Sequence, residues 1–184
     1  GLVARLRGGE FVGGNVTIPH KEAVMGLIDE VDPLARRIGA VNTLVADNGK
    51  IWGTNTDYIG FLANLDAQAS GWDEALGSAV VIGAGGLRMA GAGLLVNTSA
   101  VGMKGTQFNG LDLSPLAQGA VVTDIVYTPL ITPLLAQARA EGFASVDGLG
   151  MLLHQAVPGF RAWFGVAPAV TETLRNRVLA ALGQ

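Results

Sequence analysis

Asn48 and Gly49 stand between two runs of strand-forming residues, 41–47 and 50–55. A two-residue type I′ turn needs positive φ at both central positions, and asparagine followed by glycine adopts it at least cost. The pair therefore predicts a β-hairpin with one register. Asp47 faces Lys50, Val45 faces Trp52, and Asn42 faces Asn55. This places Asn42 at the open end of the hairpin, beside the segment Asn55-Thr56-Asp57. Residues 58–69 then carry apolar side chains at helical spacing, with Asp57 in the N-cap position. Asn42 ending a strand and Asp57 capping a helix are the plainer readings of each residue alone. Two polar groups at one hairpin end are suggestive only together.

Upstream, residues 11–17 read as a short strand containing Gly13 and Gly14. Pro19 is then suited to open a helix, because proline is pre-set for the first helical position. Ala23, Val24, Leu27, Ile28 and Val31 follow at helical spacing. Lys21 falls in the first turn of that predicted helix. The partial positive charge there disfavours a cation and favours neutral lysine, which can accept a proton. A surface lysine that the helix tolerates is the alternative. Asp32-Pro33 breaks the pattern, and residues 34–38 form a short helical piece ended by Gly39.

Past a polar, glycine-bearing linker at 70–77 the character changes. Ala79-Val80-Val81-Ile82 is a continuous apolar run of the kind buried in parallel sheets. It leads into Gly83-Ala84-Gly85-Gly86, a turn that lets backbone amides approach a pyrophosphate. The full Gly-x-Gly-x-x-Gly spacing is absent, since residue 88 is Arg. Further strands are predicted at 94–97, 120–127 and 143–146. Helices are predicted at 132–140, at 149–164 with an interruption near Pro158, and from Pro168 onward. In an open parallel sheet, ligands sit outside the carboxyl ends of the strands. Those ends are Gly83 to Gly86, Asn97 to Ser99, and Tyr127.

Composition narrows the function classes. Hydrophobic residues are 49% and charged residues 15% of the 184, enough for a buried core and unlike a disordered chain. The net charge is −3 and no basic cluster exceeds Arg36-Arg37, which argues against nucleic acid as a partner. No apolar run approaches the length of a membrane span. Without cysteine there is no thiol chemistry or disulfide framework, and no metal site is read. A cytoplasmic enzyme fits these numbers. The chain starts at Gly1 and not at methionine, so an N-terminal piece is read as missing.

Several motifs occur in one order along the chain. They are Asn15-Val16-Thr17-Ile18-Pro19-His20-Lys21, Gly39-Ala40-Val41-Asn42-Thr43-Leu44 and Gly53-Thr54-Asn55-Thr56-Asp57. After these come Asn97-Thr98-Ser99-Ala100-Val101-Gly102-Met103, Asp124-Ile125-Val126-Tyr127-Thr128-Pro129, and the run from Gly148 to Ala156. Together they resemble the shikimate dehydrogenase family, including its quinate/shikimate relatives. The resemblance implies an α/β protein of two domains. One is an α/β substrate domain, residues 1–77 plus 148–184. The other, residues 78–147, is a Rossmann-like doubly wound NADP-binding domain, incomplete in this sequence. The implied activity is the reversible reduction of 3-dehydroshikimate to shikimate with NADP, a step of aromatic amino-acid biosynthesis. Lys21 then looks like the catalytic acid/base and Asp57 its partner. Asn15, Thr17, Asn42, Tyr127 and Gln155 look like the remaining substrate contacts. Gly83, Ala84, Gly85, Gly86 and Leu87 resemble the phosphate loop. Asn97, Thr98, Ser99, Ile125, Gly148 and Met151 look like further cofactor-facing positions. Met151 and Gln155 are four apart and share one helix face.

Two pieces of the family pattern are absent. A serine-x-serine substrate anchor is not present, since Gly1 starts downstream of it. Only residues 87–93 separate the glycine turn from the strand at 94–97. At roughly 30 residues per βαβ unit, something near 60 residues is missing there, and the remnant is too short for a crossover between parallel strands. Two alternatives remain open: an NAD-using quinate/shikimate dehydrogenase, and a non-catalytic shikimate-binding module. The oligomeric state, a homodimer among the options, is not readable from the sequence.

Overall fold

The computed structural model describes residues 1–74, 76–83 and 89–184. The chain divides into two compact units, Gly1–Phe61 with Leu153–Val170, and Leu62–Leu152 with Thr171–Gln184.

In the first unit, α1 (Leu2–Arg7) precedes a four-stranded sheet. Its strands are β1 (Gly13–Asn15), β2 (Glu30–Val31), β3 (Thr43–Asp47) and β4 (Lys50–Thr54), in the order β1-β3-β4-β2. The hairpin forms as expected. Asp47 pairs with Lys50, Val45 with Trp52 and Thr43 with Thr54. Asn48 and Gly49 both have positive φ, 48° and 76°, as a type I′ turn requires. The helix α2 (Pro33–Ile38) starts at Asp32, whose carboxylate accepts from the Leu34 and Ala35 amides. It ends at Gly39 in the left-handed region. Leu6, Val24, Ala35, Val41, Leu44 and Ile51 pack between the sheet and these helices.

The helix predicted from Pro19 does not form. A 3₁₀ turn at Ala23–Gly26 takes its place, and Lys21 lies in the turn before it. Tertiary pairing overrides the helical spacing here. Val31 is drawn into β2 opposite Gly53, and Asp29 accepts from the Ile51 amide, which leaves no length for three helical turns. Leu27, expected on the buried stripe, is 59% exposed.

The second unit is built on a parallel sheet in the order β5-β6-β7-β8. The strands are β5 (Ala79–Ile82), β6 (Leu94–Asn97), β7 (Val121–Asp124) and β8 (Ala144–Val146). All three neighbouring pairs are parallel, including β5 with β6, although only residues 83–93 join those two. β6 and β7 are buried at every residue, as continuous apolar strands should be. β5 departs from that expectation: it alternates, with Val80 and Ile82 buried and Val81 40% exposed. Leu95, Leu113, Val122, Leu134, Leu135 and Ala138 form the core against α4 (Pro133–Ala140), which Thr132 caps.

Two helices carry the chain across the unit boundaries, α3 (Asp57–Gln68) and α5 (Leu149–Phe164). Pro158 lies inside α5 without interrupting it. The last helix, α6 (Glu172–Ala181), begins at the Thr171 cap, three residues later than Pro168 suggested. Residues 62–77, 148–152 and 171–184 group with the parallel sheet in the second unit. Asp147 gives the physical reason. Its carbonyl accepts from the Asn64 and Gln68 amides of α3, and its carboxylate pairs with Arg175 of α6 at 2.5 Å.

Candidate active site

In the first unit, the open end of the hairpin carries a polar cluster. The Lys21 ammonium donates to Asp57 Oδ2 at 2.7 Å. The Asn42 amide donates to Asp57 Oδ1 at 2.8 Å, to Thr56 Oγ1 at 3.1 Å and to Gln155 Oε1 at 3.3 Å. The Asn42 carbonyl oxygen accepts from the Thr56 amide at 2.8 Å and from the Thr43 hydroxyl at 2.9 Å. The hairpin register brings Asn42 and Asp57 together as anticipated, and Asn42 is 2% exposed.

Asp57 is not spent as a helix cap. Asn55 accepts from the Asp57 amide at 2.9 Å and fills that role, which leaves both Asp57 oxygens for Lys21 and Asn42. An acidic residue in the first turn of α3 is also favoured by the helix dipole. The Lys21 and Asp57 side chains are 28% and 30% exposed, so the pair is open to a ligand. Asn15 donates to the Asn42 carbonyl and to Thr43 Oγ1, which ties β1 to the same cluster. Thr17 is exposed, and its carbonyl accepts from the His20 amide at 2.9 Å. Sequence reasoning missed Thr43, Asn55 and Thr56 as individual contributors. Thr56 is fully buried, and its position between two polar residues of one motif was the available signal.

The second unit holds the other predicted positions. At the carboxyl ends of β6 and β7, Ser99, Met103, Ile125, Val126, Tyr127 and Thr128 line a cavity of about 250 Å³. Asn97 is fully buried beneath it. Its amide donates to the Val101 carbonyl and to Asp124, and its oxygen accepts from the Ser99 amide and hydroxyl. Asn97 therefore shapes the turn that presents Ser99. Thr98 donates to the Ile82 carbonyl at 2.8 Å. Tyr127 accepts through its carbonyl from Gln184. A Cβ at Gly148 would lie 2.5 Å from the Ile125 carbonyl, so only glycine lets α5 start against the end of β7. Met151 is half-buried in the first turn of α5.

Asp124 was not singled out from the sequence. It is fully buried and accepts from Asn97, the Val126 amide and the Thr132 hydroxyl. Burial pushes its carboxyl above the usual range, against the pull of those three hydrogen bonds. Gly83 has φ +111°, and a Cβ there would lie 2.8 Å from Thr98 Oγ1. The end of β5 must therefore stay bare, which fits a ligand that approaches backbone. Ala84, Gly85, Gly86 and Leu87 of the expected phosphate loop lie outside the described residues.

Residues 1–44 match the family model described as shikimate dehydrogenase substrate binding domain, and residues 148–179 match that of the shikimate 5'-dehydrogenase C-terminal domain. The shikimate dehydrogenase (NADP(+)) of Sinorhizobium fredii is 47% identical over 216 residues, spanning 92% of this chain and 75% of the relative. This chain belongs to the shikimate dehydrogenase family. The match of 216 residues is longer than the whole 184-residue chain, so this family member lacks residues that the relative carries inside the matched span. Shikimate 5-dehydrogenase from Thermus thermophilus, in complex with NADP(H) and shikimate, superposes with a TM-score of 0.81 at 33% identity. That match covers 97% of this chain and 84% of the other. Quinate dehydrogenase from Corynebacterium glutamicum, in complex with NAD, superposes with a TM-score of 0.84 at 30% identity. It covers 97% of this chain and 81% of that one.

Proposed function

We propose that this chain is an oxidoreductase that reversibly reduces 3-dehydroshikimate to shikimate in aromatic amino-acid biosynthesis, with NADP as redox partner. The observation that carries the reading is the Lys21–Asp57 pair, held at 2.7 Å by a buried asparagine and left partly open to solvent. In its neutral form Lys21 Nζ takes the proton of the C3 hydroxyl in oxidation, becoming the ammonium, and the ammonium returns that proton in reduction. Asp57 holds the ammonium in place and accepts from the same end of the substrate. Asn42 fixes Asp57 and Gln155 in one geometry and acts through them. Asn15, Thr17 and Gln155 are the proposed contacts to the substrate's other hydroxyls and its carboxylate.

NADP, when bound, supplies a nicotinamide ring that accepts or donates the hydride. Ser99, Ile125, Gly148 and Met151, with the bare turn at Gly83, are the residues that would hold its nicotinamide end. Domain roles follow the same reading, with the first unit taking the substrate and the second the cofactor. No helix among the described residues is long and apolar enough to cross a membrane. Cytoplasmic location and a homodimeric state belong to the reading as points for fractionation and light scattering.

The test follows reduced nicotinamide by absorbance with shikimate or quinate as substrate and excess NADP⁺ or NAD⁺. Turnover of shikimate that Lys21→Ala abolishes supports the proposal. Turnover of quinate with NAD⁺ alone would move the chain to the quinate-oxidising branch. Binding of shikimate with no turnover under any pairing would make it a binding module.

A further inference from the structure

We infer that the second unit holds only the nicotinamide-mononucleotide half of a dinucleotide site, so that the adenosine end and its 2′-phosphate contribute nothing to binding. The inference rests on the cofactor reading above and deepens it. A dinucleotide fold joins two βαβαβ halves, and the ligand lies across the point where strand order reverses. Among the described residues the order β5-β6-β7-β8 runs in one direction, with no reversal. Among the described residues no strand pairs with the other side of β5. Residues 83–93 are far fewer than the roughly 30 of one βαβ unit, so the second half has no chain to form it.

Val81 carries an independent sign of the same loss. β5 is apolar throughout, as a strand covered on both faces would be, yet Val81 is 40% exposed. Among the described residues, Ser99, Met103, Ile125, Val126, Tyr127 and Thr128 line a cavity at the ends of β6 and β7. Its volume of about 250 Å³ suits one ring and its neighbouring ribose. It lies below the roughly 300–1,000 Å³ of sites that enclose drug-sized ligands.

The test titrates the chain with NADPH, NADH and reduced nicotinamide mononucleotide, reading nicotinamide fluorescence, and adds adenosine 2′,5′-bisphosphate as competitor. The inference predicts three dissociation constants within about threefold of one another and no displacement by the bisphosphate. It also predicts that Ile125→Trp, or Met103→Trp at the exposed rim, weakens all three alike. A preference for NADPH beyond about threefold, displacement by the bisphosphate, or indifference to both cavity variants would overturn it. So would failure of all three to bind. A parallel shikimate titration with wild type and Lys21→Ala then separates that failure from a failure of the proposed function, because it reports on the first unit alone.

Discussion

Lys21 and Asp57 form an ion pair at 2.7 Å with both side chains nearly a third exposed. Pairs of that exposure contribute about 0.2–1 kcal/mol to stability. The pair is therefore a minor support of the fold, whatever its part in the proposed chemistry. Asp57→Asn keeps the shape but sets an amide against the Asn42 amide and removes the charge that holds Lys21. The expected outcome is a fall in kcat of about a hundredfold or more, with a melting temperature within a few degrees of wild type. Steady-state kinetics alongside calorimetry checks it, and a large loss of stability would show the pair to be structural. Lys21 was picked out by an argument that the structure removes, because no helix starts at Pro19. What marks the residue is a partner 36 positions away, which local spacing cannot reveal.

At the scale of elements, the Asn48-Gly49 hairpin was legible because turn chemistry alone sets its register. The helix from Pro19 was misread because strand pairing at Val31 outweighs helical spacing. Gly13 shows a constraint of the same non-local kind. A Cβ there would overlap Trp163 Nε1 and the Leu44 carbonyl, which are hydrogen-bonded to each other at 2.8 Å. Gly13→Ala must displace α5 from the sheet edge, at an expected cost of about 1–3 kcal/mol in urea unfolding. An unchanged midpoint would contradict that packing. Asp124, at the end of β7, gives a pH signature. Its folded pKa lies above the ordinary 3.8, so between those values the folded state holds a proton that the unfolded state has released. Stability from this group is present below that window and is lost as pH rises through it. Asp124→Asn cannot ionise, so melting curves of variant and wild type should shift in the variant's favour as pH rises from below 4. A difference independent of pH would contradict the assignment.

For the whole molecule, the two-part α/β architecture and the identity of the family were readable from ordered motifs spread along the chain. Asp147 gathers α3 and α6 onto the parallel sheet through contacts distant in sequence, which ordered motifs do not reveal. The short link between β5 and β6 was visible as a length, but the exposure of Val81 on an apolar strand with no second partner among the described residues needed the sheet order. The most direct test of the account is the steady-state oxidation of shikimate by wild type and Lys21→Ala at saturating nicotinamide cofactor. The account predicts that kcat falls by about 10²–10⁴ while the KM for shikimate changes only a few-fold, as expected when a proton-transfer group is lost. A variant that keeps its kcat and loses only affinity would make Lys21 a ligand clamp and contradict the central claim.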